Sequence, residues 1–173
     1  MTSPVVEVES LVKDYPGGTR ALDNVSFAGE DGEIFGFLGP NGAGKTTTIR
    51  ILATLLRATS GSARVAGLDV AREPAEVRRR IGYASQAVAL DALSTGRENL
   101  ELVGRLHRVP RLELNRRIDE LLEITGLTEA AGKLTATYSG GMRRRLDLAC
   151  ALVHRPHVLF LDEPTEGLDP QGR

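Results

Sequence analysis

The sequence predicts an α/β fold that is interrupted by an all-helical insertion. Three features carry this prediction. A short apolar run at 34–38 leads directly into a glycine-rich loop and a helical pattern, and a second apolar run at 158–161 ends in two acidic residues. Between them, the region from about 87 to 135 shows one helical pattern after another. Apolar strands that alternate with helices indicate an α/β core, and the helical region reads as an insertion in it.

The N-terminal part begins with two predicted strands, at 5–13 and 21–27. Between them lies Tyr15-Pro16-Gly17-Gly18, which has the composition of a turn. The run at 34–38 (IFGFL) is apolar on both faces. We therefore expect it to form a strand buried in a parallel sheet.

A helix is predicted from Lys45 to Leu56, because Ile49, Leu52, Ala53 and Leu56 follow helical spacing. A further strand is predicted at 62–66. Pro74 then opens a short helix, and we expect its run Arg78-Arg79-Arg80 to be a solvated helix face.

Helical signals dominate the second half of the chain. Thr95 and Glu98 form a predicted capping box, in which each side chain bonds the backbone amide of the other. Gly126 ends the second of three predicted helices and Pro156 the third, which begins at about 141. The apolar stripes of these helices are Leu100, Val103 and Leu106; Leu114, Ile118, Leu121 and Leu122; and Leu146, Ala149, Cys150 and Val153.

Size and composition exclude several classes of protein. The chain has 173 residues, 41% of them apolar and 26% charged, which suits one globular domain. A net charge of −1 gives no overall field for nucleic acid or anionic lipid. The lone Cys150 rules out a disulfide framework, and we expect it to be a small core residue. The sequence shows neither a signal peptide nor the roughly 18 apolar residues that a membrane span needs, so we expect a cytoplasmic location.

The first motif that carries chemistry matches the pattern G-x-x-x-x-G-K-[ST] of a phosphate-binding loop. It runs Gly39-Pro40-Asn41-Gly42-Ala43-Gly44-Lys45-Thr46-Thr47. Glycines let backbone N–H groups approach a triphosphate closely, and the helix that begins here adds the positive end of its dipole. Lys45 is predicted to reach the β- and γ-phosphates and the Thr46 hydroxyl to ligate Mg²⁺. The alternative, a plain glycine turn between strand and helix, explains neither the lysine nor the spacing.

The second motif is the apolar strand at 158–161 followed by Asp162 and Glu163. A buried strand places acidic residues at the carboxyl edge of a sheet, where ligands of α/β proteins bind. Asp162 is predicted to hold the Mg²⁺ shell, and Glu163 to orient or deprotonate the attacking water. Acidic residues often follow strands, so this motif is a strong indication only in combination with the glycine-rich loop at 39–47.

The third motif is Tyr138-Ser139-Gly140-Gly141-Met142, which resembles the signature sequence of ABC transporter ATP-binding subunits. The resemblance implies that Ser139, Gly140 and Gly141 open a helix whose N-terminus binds a phosphate of ATP held by a second ATP-binding subunit, in a homodimer that sandwiches two nucleotides. The alternative to this phosphate-binding role is a purely structural one, in which Ser139 is an N-cap residue followed by flexible glycines.

Further positions match the same family in order along the chain. The resemblance implies that Tyr15 stacks on adenine and that Gln86 is the glutamine that senses Mg²⁺ and links the core to the helical insertion. It also implies that Gly167-Leu168-Asp169 is the loop that touches the opposite subunit, so Asp169 joins the candidate nucleotide site. Taken singly, Tyr15 and Gln86 have ordinary explanations as a turn tyrosine and a surface glutamine.

The family implies an architecture and partners. The fold it implies is a P-loop NTPase (RecA-like) core with an N-terminal antiparallel β subdomain and an inserted all-helical subdomain. We expect residues 1–86 and 136–173 to form the core and residues 87–135 the helical subdomain. The run from Tyr138 to Asp147 looks most similar to the daunorubicin-resistance type of subunit, which binds and hydrolyses MgATP on the inner face of the membrane and energises export of amphipathic drugs through a separate membrane permease.

Some positions depart from the family pattern. Met142 replaces the usual glutamine and Tyr138 the usual leucine, as they do in the drug-resistance subgroup. Glu166 stands where a small or hydroxylated residue is more usual. Neither His154 nor His157 matches the family's switch histidine, because both precede Asp162.

We expect the chain to be truncated after Asp169, because the family places its switch histidine and a central strand of the core beyond this point. Such a chain would hydrolyse ATP poorly alone, so a non-catalytic nucleotide-binding fragment is the alternative. Two other readings are an ABC ATPase of DNA repair or translation, which would carry coiled-coil or basic inserts, and a P-loop small-molecule kinase, which leaves Ser139-Gly140-Gly141 unexplained.

Overall fold

The structure, a computed structural model, describes residues 4–163. The chain divides into two compact units, with the boundary between Ile81 and Gly82. Each unit has its own sheet. Among the described residues, no helix is both long enough and apolar enough to cross a bilayer.

The first unit is built on a four-stranded antiparallel sheet with the order β2-β1-β3-β4. The strands are β1 (Val6–Asp14), β2 (Arg20–Gly29), β3 (Ser60–Val65) and β4 (Leu68–Asp69). In register, Val6 of β1 lies opposite Gly29 of β2 and Val65 of β3. The predictions of strands at 5–13, 21–27 and 62–66 and of an antiparallel N-terminal sheet are confirmed, and the short β4 was not predicted.

Alternating apolar residues bury one face of this sheet. Val6 and Val8 on β1 and Ala63 and Val65 on β3 are all buried, as a period of two residues requires. Leu11 is buried as well.

Two helices accompany the sheet, α1 (Lys45–Leu52) and α2 (Pro74–Arg80). The helix α1 is shorter than the predicted 45–56, because Thr54 adopts a left-handed φ of 61° and the chain turns there. Pro74 occupies the first turn of α2, and the three arginines at its end are exposed, as predicted.

The prediction of a buried strand at 34–38 is wrong for this structure. The segment forms no strand among the described residues, and Ile34 and Leu38 are 100% and 97% exposed. An apolar strand is buried only where neighbouring strands pair with both of its edges. Instead, the aromatic side chains of the segment pack on β2: the Phe27 ring centroid lies 5.3 Å from that of Phe35 and 4.9 Å from that of Phe37.

The second unit contains the two-stranded sheet β5 (Ile81–Ala84) and β6 (Val158–Leu161). Its helices are α3 (Gly96–Leu106), α4 (Arg111–Ile124) and α5 (Gly140–Leu152), with short 3-10 turns at Thr128–Ala130 and Thr135–Thr137. The predicted capping box is confirmed at the start of α3: Glu98 N–H donates to Thr95 Oγ1 at 3.2 Å and Thr95 N–H to Glu98 Oε2 at 2.8 Å.

The three helices share one apolar core. The predicted stripes of α4 and α5 are buried in it, and so is Leu100 of α3. Gly104 lets α3 approach α4, since a Cβ at this position would lie 2.2 Å from Leu114 Cδ1. Leu106 was predicted to share this face but is 72% exposed. Six residues beyond Leu100, it is rotated about 120° away around the helix axis.

Candidate functional site

The glycine-rich loop of the first unit has a backbone that only glycine adopts readily. Gly42 and Gly44 have left-handed φ values of 86° and 83°. A Cβ at Gly44 would also lie 2.6 Å from the carbonyl oxygen of Ala21 and 2.5 Å from Leu22 Cδ2, both on β2. The sequence thus folds the loop tightly against the sheet, and the second and third glycines of the motif are structural requirements.

Helix α1 begins directly after this loop with an N-terminus suited to an anion. Gly44 is its N-cap residue, so no side chain caps the helix, and no acidic residue lies in its first turn. The positive end of the helix dipole is therefore not offset by the local sequence. The Lys45 ammonium lies within the loop and donates to the carbonyl oxygens of Gly39 at 2.6 Å and Pro40 at 2.9 Å.

The predicted adenine-stacking residue lies beside the same loop. Tyr15 Oη and Thr47 Oγ1 are 3.4 Å apart, and the ring is half-buried, with Lys13 Nζ 5.3 Å from its centroid. The first unit thus places Tyr15 next to the predicted residues 39–47, which lie far from it in sequence. Within the loop, Asn41, Gly42 and Ala43 are exposed, whereas Thr46 is half-buried.

In the second unit, the acidic pair lies at the end of β6. Asp162 is 3% exposed, and its N–H donates to the Ala84 carbonyl at the end of β5, at 3.0 Å. Glu163 is exposed and has a left-handed φ of 53°. Gln86 is also exposed and follows β5 by two residues. The pairing of β5 with β6 therefore brings the predicted glutamine loop and the acidic pair to neighbouring strand ends.

The signature residues form the start of α5. Ser139 is the N-cap residue, its Oγ accepting the Met142 N–H at 3.2 Å, and Gly140 and Gly141 open the helix. The N-cap role is confirmed. Ser139 and Gly140 are exposed, so this helix N-terminus is accessible. Capping by serine and contact with a phosphate are compatible roles, because a serine hydroxyl can both accept and donate.

Tyr138 stands where the family usually has leucine, and its hydroxyl forms a hydrogen bond inside the protein. It is 4% exposed, and its Oη donates to the Ala130 carbonyl at 2.7 Å. Burial raises the pKa of this phenol. Gly96 makes room for the hydroxyl, since a Cβ there would lie 2.3 Å from it. Met142, the second departure, is packed against the helical core.

Sequence reasoning missed a buried ion pair on α5. Arg144 and Asp147 are 3% and 8% exposed, and Arg144 Nη1 lies 3.3 Å from Asp147 Oδ2. Their spacing of three residues on a helix was a detectable signal. The signal was not recognised because Arg144 stands in a run of three arginines, and the residues on either side, Arg143 and Arg145, are exposed.

The other predicted residues are placed as follows. His154 stacks on His107, with ring centroids 3.6 Å apart, and burial followed by the charge of His154 lowers the pKa of His107. His157 is exposed. Glu166 and Asp169 lie outside the described residues. Within residues 4–163, no three histidine, cysteine or carboxylate side chains cluster as a metal site.

Comparisons with known proteins agree with the signature. A family model described as "ABC transporter" matches residues 22–166. The daunorubicin resistance ATP-binding protein DrrA2 of Streptomyces coeruleorubidus is 53% identical over 100% of this chain and 53% of its own length. The chain thus spans about half the length of the curated relatives it matches.

Solved structures share the fold. CbiO1 from Clostridium perfringens, described as part of the ABC transporter complex CbiONQ, superposes with a TM-score of 0.87 at 31% identity, over 99% of this chain and 70% of that one. An ATP-binding cassette solved as a dimer in a post-hydrolysis state, with ADP and phosphate bound, gives a TM-score of 0.86 at 30% identity, over 96% and 77%. The sequence matches and these superpositions confirm the resemblance that the motifs indicated: the chain belongs to the ABC transporter family, in its class of ATP-binding proteins.

Proposed function

We propose that this chain binds MgATP and, in the full-length protein, hydrolyses it to drive export of a drug-like or amphipathic compound through a separate membrane permease. The observation that carries the proposal is the loop at 39–47. Its left-handed glycines lead into a helix that has neither a side-chain cap nor an acidic first turn, and its lysine lies within the loop. This combination favours a polyphosphate over any neutral ligand.

The residues present fit a magnesium nucleotide. Mg²⁺ prefers oxygen donors, keeps several of its waters, and is bound through one or two carboxylates together with the oxygens of the substrate's phosphates. The Thr46 hydroxyl, the Asp162 carboxylate and the Gln86 amide oxygen are donors of this kind. When bound, Mg²⁺ neutralises charge that develops on the phosphates. Lys45 would hold the β- and γ-phosphates, and Tyr15 would stack on adenine.

Glu163 is the residue that we assign to the attacking water. It is exposed, unlike the buried Asp162, so its carboxylate is accessible to a water molecule. Accepting a proton from that water, or orienting it, is the task of a general base in this class of reaction.

We infer that the protein works as a dimer. The accessible start of α5 at Ser139, Gly140 and Gly141 would contact the phosphates of a nucleotide held by the second subunit, with Asp169 contributing to the same interface. The dimeric relative with ADP and phosphate supports this inference. We also infer the domain organisation in which residues 1–86 and 136–173 form the core and 87–135 the helical subdomain.

Export and location are inferred from the relatives. DrrA2 is named a daunorubicin resistance protein, and CbiO1 is described as part of a transporter complex. By this analogy we propose a position on the inner face of the membrane, where a permease holds the protein.

The decisive experiment replaces Glu163 by glutamine in the full-length protein. The amide keeps the shape of the side chain but is a poor proton acceptor, so we expect ATP affinity to stay within about threefold while kcat falls by about a hundredfold or more. Glu113→Gln is the matched control, because Glu113 is an exposed glutamate on α4. Calorimetry measures binding, and phosphate release measures turnover.

Three outcomes would count against the proposal. A parental protein that takes up no adenine nucleotide in magnesium buffer would refute the site itself. Binding without any phosphate release would favour the alternative of a non-catalytic nucleotide-binding protein. Parental turnover in Glu163→Gln would remove Glu163 from its assigned role.

Export needs a separate test. Cells that express the full-length protein with its permease should accumulate less daunorubicin than cells that express the permease with Glu163→Gln. Equal accumulation would refute export of daunorubicin without affecting the ATPase assignment.

A further inference from the structure

Helix α5 carries one buried guanidinium in a run of three arginines. Arg144 is 3% exposed, while Arg143 and Arg145 are exposed. Arginine is almost never fully buried unless its charge is paired and its N–H groups are hydrogen-bonded. The surroundings of Arg144 therefore indicate what this side chain does.

The guanidinium connects α5 with two separate loops. Its Nη1 donates to the carbonyl oxygen of Ser85 and to Asp147 Oδ2, the latter at 3.3 Å. Its Nη2 donates to the carbonyl oxygens of Asp162 at 3.4 Å and Glu163 at 3.2 Å. One planar group thus holds the backbone that precedes Gln86 and the backbone of the acidic pair.

Asp147 adds a second connection to the glutamine loop. Its carboxylate accepts a hydrogen bond from the Ala89 backbone N–H as well as from Arg144. The loop is therefore attached to α5 on both sides of Gln86, at Ser85 and at Ala89. In some proteins, buried ionic groups contribute more to conformational specificity than to stability, and the several bonds of this ion pair suit such a role.

Glu163 has an unfavourable backbone conformation beside this cluster. Its φ of 53° is left-handed, a conformation that is unfavourable for a residue with a Cβ. Arg144 bonds the carbonyl of that residue. A change at Arg144 would therefore release the residue whose side chain we assign to the attacking water.

We propose that Arg144 is a positioning residue for ATP hydrolysis: it fixes the backbone on which Gln86, Asp162 and Glu163 stand relative to the helix that begins at Ser139. The inference rests on the proposed function, and it assigns no contact between Arg144 and the nucleotide. Its partner in this task is Asp147, which balances the buried charge and holds the far side of the glutamine loop.

A lysine cannot replace this arginine. The guanidinium presents donors in a planar fork that reaches four acceptors in different directions, whereas an ammonium is a compact point with three donors. Arg144→Lys keeps the charge and most of the volume but loses part of the connection between α5 and the two loops.

The test compares Arg144→Lys with Arg143→Lys in the full-length protein. Arg143 is exposed one residue away, so Arg143→Lys controls for the general effect of exchanging a guanidinium for an ammonium on α5. Both variants are measured for ATP affinity by calorimetry, for kcat and KM, and for the urea midpoint of unfolding. For Arg144→Lys we expect affinity and KM within about threefold of the parent, and a kcat lower by about tenfold to a hundredfold, as a small displacement of reacting groups produces. Arg143→Lys should behave as the parent.

Hydrogen exchange supplies a readout of the mechanism. Amides at 85–89 and at 162–163 should exchange faster in Arg144→Lys than in the parent, with α3 and α4 unchanged. An unchanged kcat in folded Arg144→Lys would overturn the proposal. So would a kcat that falls only in proportion to the folded fraction, since a purely structural role predicts that result.

If Arg144→Lys does not fold, Asp147→Asn takes its place, because it retains the guanidinium and its three carbonyl contacts. We then expect kcat to fall by about threefold to tenfold at constant KM, and parental kcat would overturn the proposal. A parental protein without ATP turnover would refute the proposed function, whereas an active parent with a fully active Arg144→Lys refutes only this inference.

Discussion

The hydroxyl of Tyr138 offers a quantitative test of the packing around the signature helix. Tyr138→Phe removes one buried hydrogen bond, from Oη to the Ala130 carbonyl at 2.7 Å, and leaves the ring in place. The Ala130 carbonyl keeps a second bond, from the Lys133 N–H at 2.9 Å. Because no buried acceptor is left wholly unsatisfied, we expect a cost of about 1 kcal/mol rather than the larger penalty of an orphaned group.

Urea denaturation followed by circular dichroism measures this cost on the full-length protein. With a denaturant slope of about 2 kcal/mol per molar, the midpoint should fall by about 0.5 M. Thr137→Val is the matched control: Thr137 Oγ1 donates to the Leu134 carbonyl over the same 2.7 Å, but at an exposed position. Its cost should stay below about 0.5 kcal/mol.

A double-mutant cycle with Gly96 tests the geometry itself. A Cβ at Gly96 would lie 2.3 Å from the Tyr138 hydroxyl, and the next nearest atom, Cζ, would lie at 3.2 Å. Gly96→Ala should therefore destabilise the parent more than it destabilises Tyr138→Phe, by about 1 kcal/mol of coupling. An unchanged midpoint in Tyr138→Phe, or a cycle without coupling, would refute this description of the contact.

Two further predictions follow from pKa shifts. Burial, followed by the charge of Asp147, raises the pKa of the Cys150 thiol to about 12. Iodoacetamide at pH 8 should therefore label Cys150 only after the protein unfolds. Labelling of the native protein at the rate of the unfolded protein would contradict the burial of Cys150. The lowered pKa of His107 means that the native state binds fewer protons than the unfolded state, whose histidine titrates at about 6.5. This contribution to stability is complete above that pH and is lost as pH falls below it. Urea midpoints between pH 8 and 5 should thus fall less steeply in His107→Asn than in the parent. Equal slopes in the two proteins would exclude His107 as the source.

The two errors of prediction, at the segment 34–38 and at Leu106, have different physical causes. The strands that pair locally, and the helices whose ends carry capping signals, were predicted correctly, as β1, β2 and the capping box at Thr95 illustrate. The segment 34–38 has the composition of a buried strand, but composition does not supply the neighbouring strands that a buried strand needs. Leu106 was misplaced because spacings of three residues drift around a helix of 3.6 residues per turn.

The sequence by itself determined the family and its candidate chemistry, because each of the three motifs is a contiguous run of residues: the loop at 39–47, the signature at 138–142 and the acidic pair at 162–163. Only the tertiary structure decided that Tyr15 lies beside Thr47, that the Tyr138 hydroxyl bonds Ala130, and that Arg144 joins α5 to the glutamine loop and the acidic pair. These contacts link residues whose spacing in the sequence has no periodicity to reveal them. Burial of an arginine side chain is a property of the packed chain. A sequence of three consecutive arginines is the same whether the middle side chain is exposed to solvent or buried.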